Sequence, residues 1–184
     1  RIAVLSDNIH GMQELTRYAL QAGHTGIAFI HGERTAVTED RLIGFHRACA
    51  EIGLRVPENR ILEGAFHDPD TCYRLTAQLL KEPDCPSCIF FPDDYSYIGG
   101  MNAILEAGLK IPEDISVIGY DGIHLSQMLS PKLTTWKQDT AALGAAAGTR
   151  LIHLIEHPKT AIPDRTVISG SLLEGGSVRK LSDR

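Results

Sequence analysis

Ile115-Ser-Val-Ile-Gly-Tyr120, closed by Asp121, is an apolar run with no polar alternation. Such a run reads as a strand buried on both faces, the habit of a parallel sheet under two layers of helices. Working back from it, Asp93-Asp94 lead into a helix holding Ile98, Met101 and Leu105 and stopped by Gly108. Before that helix comes a strand over 87–91. Asp68-Pro69 then begins a helix that runs to about Lys81, with Cys72, Leu75, Leu79 and Leu80 as its apolar stripe. Arg60–Glu63 is a short strand. A helix from about Thr38 to Ile52 carries Leu42, Phe45, Cys49 and Ile52 on one face, and Ile27–Ile30 is the strand before it. The first strand is Ile2–Leu5, followed by a helix from about Gly11 to Ala22 that ends at Gly23. Working forward, a segment over Leu133–Lys137 leads into a helix from about Asp139 to Glu156. Short strands near 166–168 and 172–173 close the chain. Strands alternating with helices of this length make the fold class α/β, a parallel sheet sandwiched by helices.

The 184 residues allow one full domain, or one and part of another. With 43% hydrophobic and 22% charged residues the composition is that of a globular chain. No apolar run approaches the roughly 20 residues of a membrane helix, so no membrane partner is expected. A net charge of −5 argues against this segment gripping a phosphate backbone itself. Arg1-Ile-Ala-Val-Leu-Ser6 reads as a strand from its first residue, with no initiator Met or signal peptide, so a piece of something longer is expected.

Four cysteines are too sparse for a secreted disulfide framework, and Cys49 and Cys72 fall on apolar helix faces, as buried free thiols do. Cys85-Pro-Ser-Cys88 has the spacing of a zinc or redox pair. It lacks a second ligand pair, and it runs into a strand instead of opening a helix. His153 and His157 stand four apart on a helix, with nothing placing them near the thiols. No metal site is expected.

Ligands of open α/β sheets bind beyond the carboxyl ends of the strands. The polar residues there are Asp7 and Asn8, His31 to Thr35, Phe66 and His67, Asp93 and Asp94, and Asp121. Helix capping by Asp93 or Asp94 is the competing structural explanation. No GxGxxG or GxxxxGK[ST] occurs, so dinucleotide and other phosphate cofactors are disfavoured. No GxSxG elbow accompanies the eight histidines, and His24 after Gly23 reads as a helix-end cap. No catalytic set emerges, and an enzyme is not expected. Gly144 and Gly148, with Ala145–Ala147 between them, form a small-residue face that fits packing within the chain or against a partner helix, the former being the expectation.

Several stretches together resemble the lac/galactose/purine repressor family of bacterial transcription regulators. They are Asp7-Asn8-Ile-His-Gly11, Leu20-Gln-Ala-Gly23-His24-Thr-Gly-Ile27-Ala28-Phe-Ile-His-Gly32 and Arg41-Leu-Ile-Gly44-Phe45. Pro92-Asp93-Asp94 leading to Gly99 follows, then Gly108 through Pro112-Glu-Asp114 to Gly119-Tyr120-Asp121, and Leu133-Thr134-Thr135-Trp136-Lys137-Gln138-Asp139. Leu172-Leu-Glu-Gly-Gly-Ser177-Val178 looks like that family's last strand. The match covers essentially the whole chain.

The resemblance implies a periplasmic-binding-protein-like fold of two lobes, with a small-molecule effector in the cleft between them. Residues 1–23 would be a remnant of the N-terminal lobe, its sheet without its earlier strands, and 24–132 the C-terminal lobe. Residues 133–160 would return to the first lobe, and 161–184 would form the crossover and tail. Arg41 would contact the ligand with its fixed fork of donors, Asp121 would accept from it, and Phe66 would stack on a sugar or base face. Asp93 and Gln138 match polar cleft positions. Asp7 and His10 lie near the same rim, and Arg34 is a second candidate contact. A homodimer is implied, in the cytoplasm, touching operator DNA only through an N-terminal helix-turn-helix that this chain does not contain. A transport-type sugar-binding protein of the same fold is the alternative. Two departures from the pattern are Gly122 after Asp121 and the adjacent acids Asp93-Asp94, which suit polyhydroxyl or cationic effectors better than anions.

Overall fold

The computed structural model describes residues 3–157 and 165–181. Arg1, Ile2 and the parts of the return and tail segments at 158–164 and 182–184 lie outside them. The main body is a six-stranded sheet in the order β3-β2-β4-β5-β6-β8. Its strands are β2 (Ile27–His31), β3 (Ile61–Glu63), β4 (Cys88–Phe90), β5 (Ser116–Asp121), β6 (Thr134–Lys137) and β8 (Ser171–Leu173). All pairs are parallel except β6 with β8. A separate parallel pair joins β1 (Ala3–Ser6) to β7 (Arg165–Ile168), with α5 (Thr140–Glu156) against it.

Both faces of the large sheet are covered, as the unbroken apolar runs require. Phe29, Phe90, Ile118 and Tyr120 point to α1 (Asn8–Gln21) and α2 (Ala36–Glu51), meeting Met12, Leu15, Phe45 and Cys49. Ile30, Ile89 and Val117 point the other way, to α3 (Pro69–Leu79) and α4 (Tyr97–Glu106), meeting Cys72, Leu79 and Ile104. Successive residues of one strand thus serve two cores. The division expected at residue 23 is drawn differently: β1 belongs to the small sheet, but α1 packs on the large one, because Met12, Leu15 and Ala19 form its buried stripe.

Four of the five helices, α4 being the exception, start on a side-chain cap. Asp7, Thr35, Asp68 and Asp139 accept from the backbone N–H three residues on, at 3.0 to 3.3 Å for the first three and 2.8 Å for Asp139. The chain's last described residues strap across the sheet's other end. Buried Ser177 accepts from the Thr134 N–H and donates to the Val117 carbonyl.

Two expectations are corrected here. His24 is fully buried, and its ring does not cap its own helix. It bonds Ser87 Oγ at 2.9 Å and the Arg179 carbonyl at 3.0 Å, tying α1's end to the residue before β4 and to the tail. Burial lowers its pKa. Gly144 and Gly148 do not pack within the described chain, since a Cβ at either would meet nothing within 4 Å. The four thiols are free, and burial pushes Cys49 up to about 11 and Cys72 to about 12, so both stay as apolar filling. Among the described residues no helix is long and apolar enough to cross a membrane.

Candidate functional site

Arg41, on the second turn of α2, is the centre of the strand-end crevice and only 4% exposed. Three elements hold its guanidinium. Nε donates to Asn8 Oδ1 at 3.1 Å, one terminal nitrogen donates to the Pro92 carbonyl at 2.7 Å, and the other lies 3.5 Å from Asp121 Oδ1. Its Cζ stands 3.5 Å from the Tyr120 ring centroid and 5.4 Å from that of Phe66, a cation between two aromatic faces. Burial lowers its pKa, and the charges of Tyr120, Asp121 and Asp93 pull back. A guanidinium has five N–H groups, and three are engaged here, which leaves two to donate to a ligand.

Asp121 ends β5 with φ at +104°, a backbone conformation rare for a residue with a side chain. The turn aims its carboxylate at Arg41 and at Gln138, whose Nε2 donates to Oδ1 at 2.5 Å. Both contacts fall on one oxygen, so the other is available to accept. Gln138 lies on the crossing from β6 to α5, so this bond reaches from the large sheet to the segment that enters the smaller layer. An open groove of 840 Å³ runs between them, with Asn8, Arg41 and Gln138 on one side and β1, Leu143 and Ala147 on the other.

Of the residues singled out from the sequence, the fold brings together Arg41, Asp121, Phe66 and Gln138. Asp7 caps α1 beside them, and exposed His10 lies edge-on to Trp136 at 5.7 Å. Asp93 is 1% exposed and its oxygens hold the framework. They accept from the His67 N–H at 2.9 Å and from the Ser96 N–H and hydroxyl at 2.7 and 2.8 Å. Arg34 does not join the cluster: its side chain is 80% exposed and pairs with Glu63 at 3.5 Å. Asn8, the Pro92 carbonyl and Tyr120 were not foreseen as partners of Arg41. Asn8 is marked in the sequence only as a polar strand-end residue, and Pro92 and Tyr120 carry no signal beyond adjacency to Asp93 and Asp121.

Asp94, beneath the site, accepts from Thr135 Oγ1 at 2.6 Å and the Ile123 N–H at 2.9 Å. Burial raises its pKa to about 6 from an ordinary 3.8. The folded form therefore holds the proton more tightly than the unfolded chain. Asp94's contribution to stability is full below about pH 4 and is lost as pH rises through about 6, a loss of order 3 kcal/mol. Asp94→Asn should flatten that slope, since an amide can donate to Thr135 and accept from Ile123. Thermal melts from pH 4.5 to 7.5 check this, and parallel slopes for the two proteins would refute it.

The family described as periplasmic binding protein-like domain matches residues 16–178. The PurR transcriptional repressor of Pasteurella multocida is 40% identical over 141 residues, 76% of this chain and 42% of that protein. The probable repressor ExuR of Bacillus subtilis is 32% identical over 180 residues, 97% of this chain and 54% of that protein. A LacI family transcriptional regulator from Enterococcus faecium, solved with bound ribose, superposes with a TM-score of 0.88 at 27% identity, covering 98% of this chain and 66% of that one. The chain spans about half the length of these curated relatives.

Proposed function

Because this chain belongs to the periplasmic binding protein-like domain family, in the form that LacI-type transcriptional regulators carry, we propose that it is the effector-sensing part of such a regulator. Its effector is a small hydroxyl- or nitrogen-rich molecule, a sugar or a nucleobase. The observation that carries the reading is Arg41, buried and tied to three elements, with N–H groups left over beside a free oxygen of Asp121. Donor and acceptor side by side match a ligand hydroxyl, or an amide edge of a base. Phe66 offers that ligand an apolar face, and Gln138, Asp7 and His10 line its rim. Asp93 acts by holding the loop that carries Phe66 and His67.

Binding changes DNA affinity through the smaller layer. A ligand that touches Arg41 and Asp121 on one side and the β1–α5 groove wall on the other favours one angle between them. It shifts the population by its difference in affinity for the two arrangements. Operator DNA is gripped by another part of the protein, in a cytoplasmic homodimer. The regulator reading is supported over a transport protein because the curated relatives and the ribose-bound neighbour are transcription regulators. The experiment is a thermal-shift series with D-ribose, D-galacturonate, a disaccharide and hypoxanthine. At about a hundredfold excess over Kd a true effector adds close to 2.7 kcal/mol of stability, a rise of several degrees. A folded protein that none of the four stabilises counts against the reading.

A further inference from the structure

We propose that His153, on the last turn of α5, and His157, the residue that caps its C-terminus, form a binding site for a divalent d-block cation of the nickel or zinc type. They are four residues apart, so their side chains leave the helix on one face, one above the other. Their ring centroids are 5.0 Å apart with planes inclined by 53°, His153 half-buried and His157 exposed. The His157 N–H donates to the His153 carbonyl at 2.8 Å, so the backbone between them keeps its helical turn and holds the rings at this spacing. Two imidazoles at i and i+4 are the arrangement by which a helix presents a nitrogen pair to one metal ion.

The local charge favours a cation. The free carbonyls of α5's end carry the negative pole of the helix, and exposed Glu156 stands next to His157. Arg150, a turn earlier, is bonded to Thr166 on β7. Among the described residues no group of three or more His, Cys, Asp or Glu is placed to share an ion, so these residues supply two nitrogens and leave the other positions to water. Two nitrogens and water select ions that prefer imidazole over oxygen, which excludes calcium and magnesium. By the helical rise His153 lies about 22 Å beyond Gln138 and about 9 Å beyond Ala147, the last α5 residue lining the groove, so a bound ion would staple α5's end without touching the effector cleft.

The test uses untagged, metal-free protein titrated calorimetrically with NiCl2 and with ZnCl2 at neutral pH. One ion per chain is expected. His153→Gln and His157→Gln, each with an unchanged circular-dichroism spectrum, should weaken binding at least about tenfold, as loss of a metal-supporting group does. Cys85→Ser, which removes the exposed thiol, should leave it unchanged. Absence of binding by either metal, binding that survives His157→Gln, or binding lost with Cys85→Ser would each overturn the site. None of these results bears on the effector cleft.

Discussion

Arg41→Met destabilises the protein by about 3 kcal/mol and abolishes stabilisation by any effector, an outcome that chemical denaturation and thermal shift read together. The methionine fills part of the volume but satisfies none of the three acceptors that the guanidinium holds. Asn8 Oδ1 and the Pro92 carbonyl lose a donor, and Asp121 loses its cation while remaining bonded to Gln138. An acceptor stranded in a buried place costs about 1–3 kcal/mol, and the three elements it joined become independent. Arg41→Lys keeps the charge but not the fork, so it should recover part of the stability and little of the ligand response. Equal stability of the wild type and Arg41→Met would show that the network does not organise the crevice.

Gly99→Ala should cost as much, about 3 kcal/mol, the upper end of the usual toll of overpacking, and should lower the yield of folded protein. A Cβ there would stand 1.7 Å from the Pro69 carbonyl oxygen and 2.5 Å from its carbon. Pro69 begins α3 and its ring leaves the backbone little freedom, so α3 and α4 must move apart. The core that α3 and α4 share is closed, with Cys72, Leu79 and Ile104 fully buried. Gly144→Ala is the internal contrast. Its Cβ meets nothing within 4 Å, and the helix gains up to about 1 kcal/mol from losing a glycine. Denaturant midpoints of the two variants should therefore move in opposite directions. A Gly99→Ala protein as stable as the wild type would mean that the α3–α4 contact is looser than described.

Legibility varied from residue to residue. The run at 115–120 announced a strand buried on both faces, and the structure puts Val117 in one core and Ile118 and Tyr120 in the other. Asp68 before Pro69 stood where a helix cap belongs and accepts the N–H three residues later, whereas Asp7, read only as a rim residue, caps a helix that starts at Asn8 and not near Gly11. Arg41 and Asp121 came from a family resemblance, and the fold brings them to 3.5 Å although 80 positions separate them. Arg34 came as readily and went elsewhere, to Glu63. Asp93 and Asp94 looked alike as neighbours, yet one fastens the loop before α3 and the other sits under β6.

What the amino-acid order settled was local: the apolar periods that make strands and helices, the caps that start them, and the α/β class that follows. These depend on residues within a few positions of one another, where spacing and propensity act directly. Which polar side chains share the crevice was decided by the tertiary structure alone. Arg41's orientation is set by a carbonyl, an amide oxygen and an aromatic face from three distant elements, and the same guanidinium on another face of α2 would lie in water. His24 turned from helix cap to buried tie for the same reason, because Ser87 and the Arg179 carbonyl reach it only once the sheet has formed.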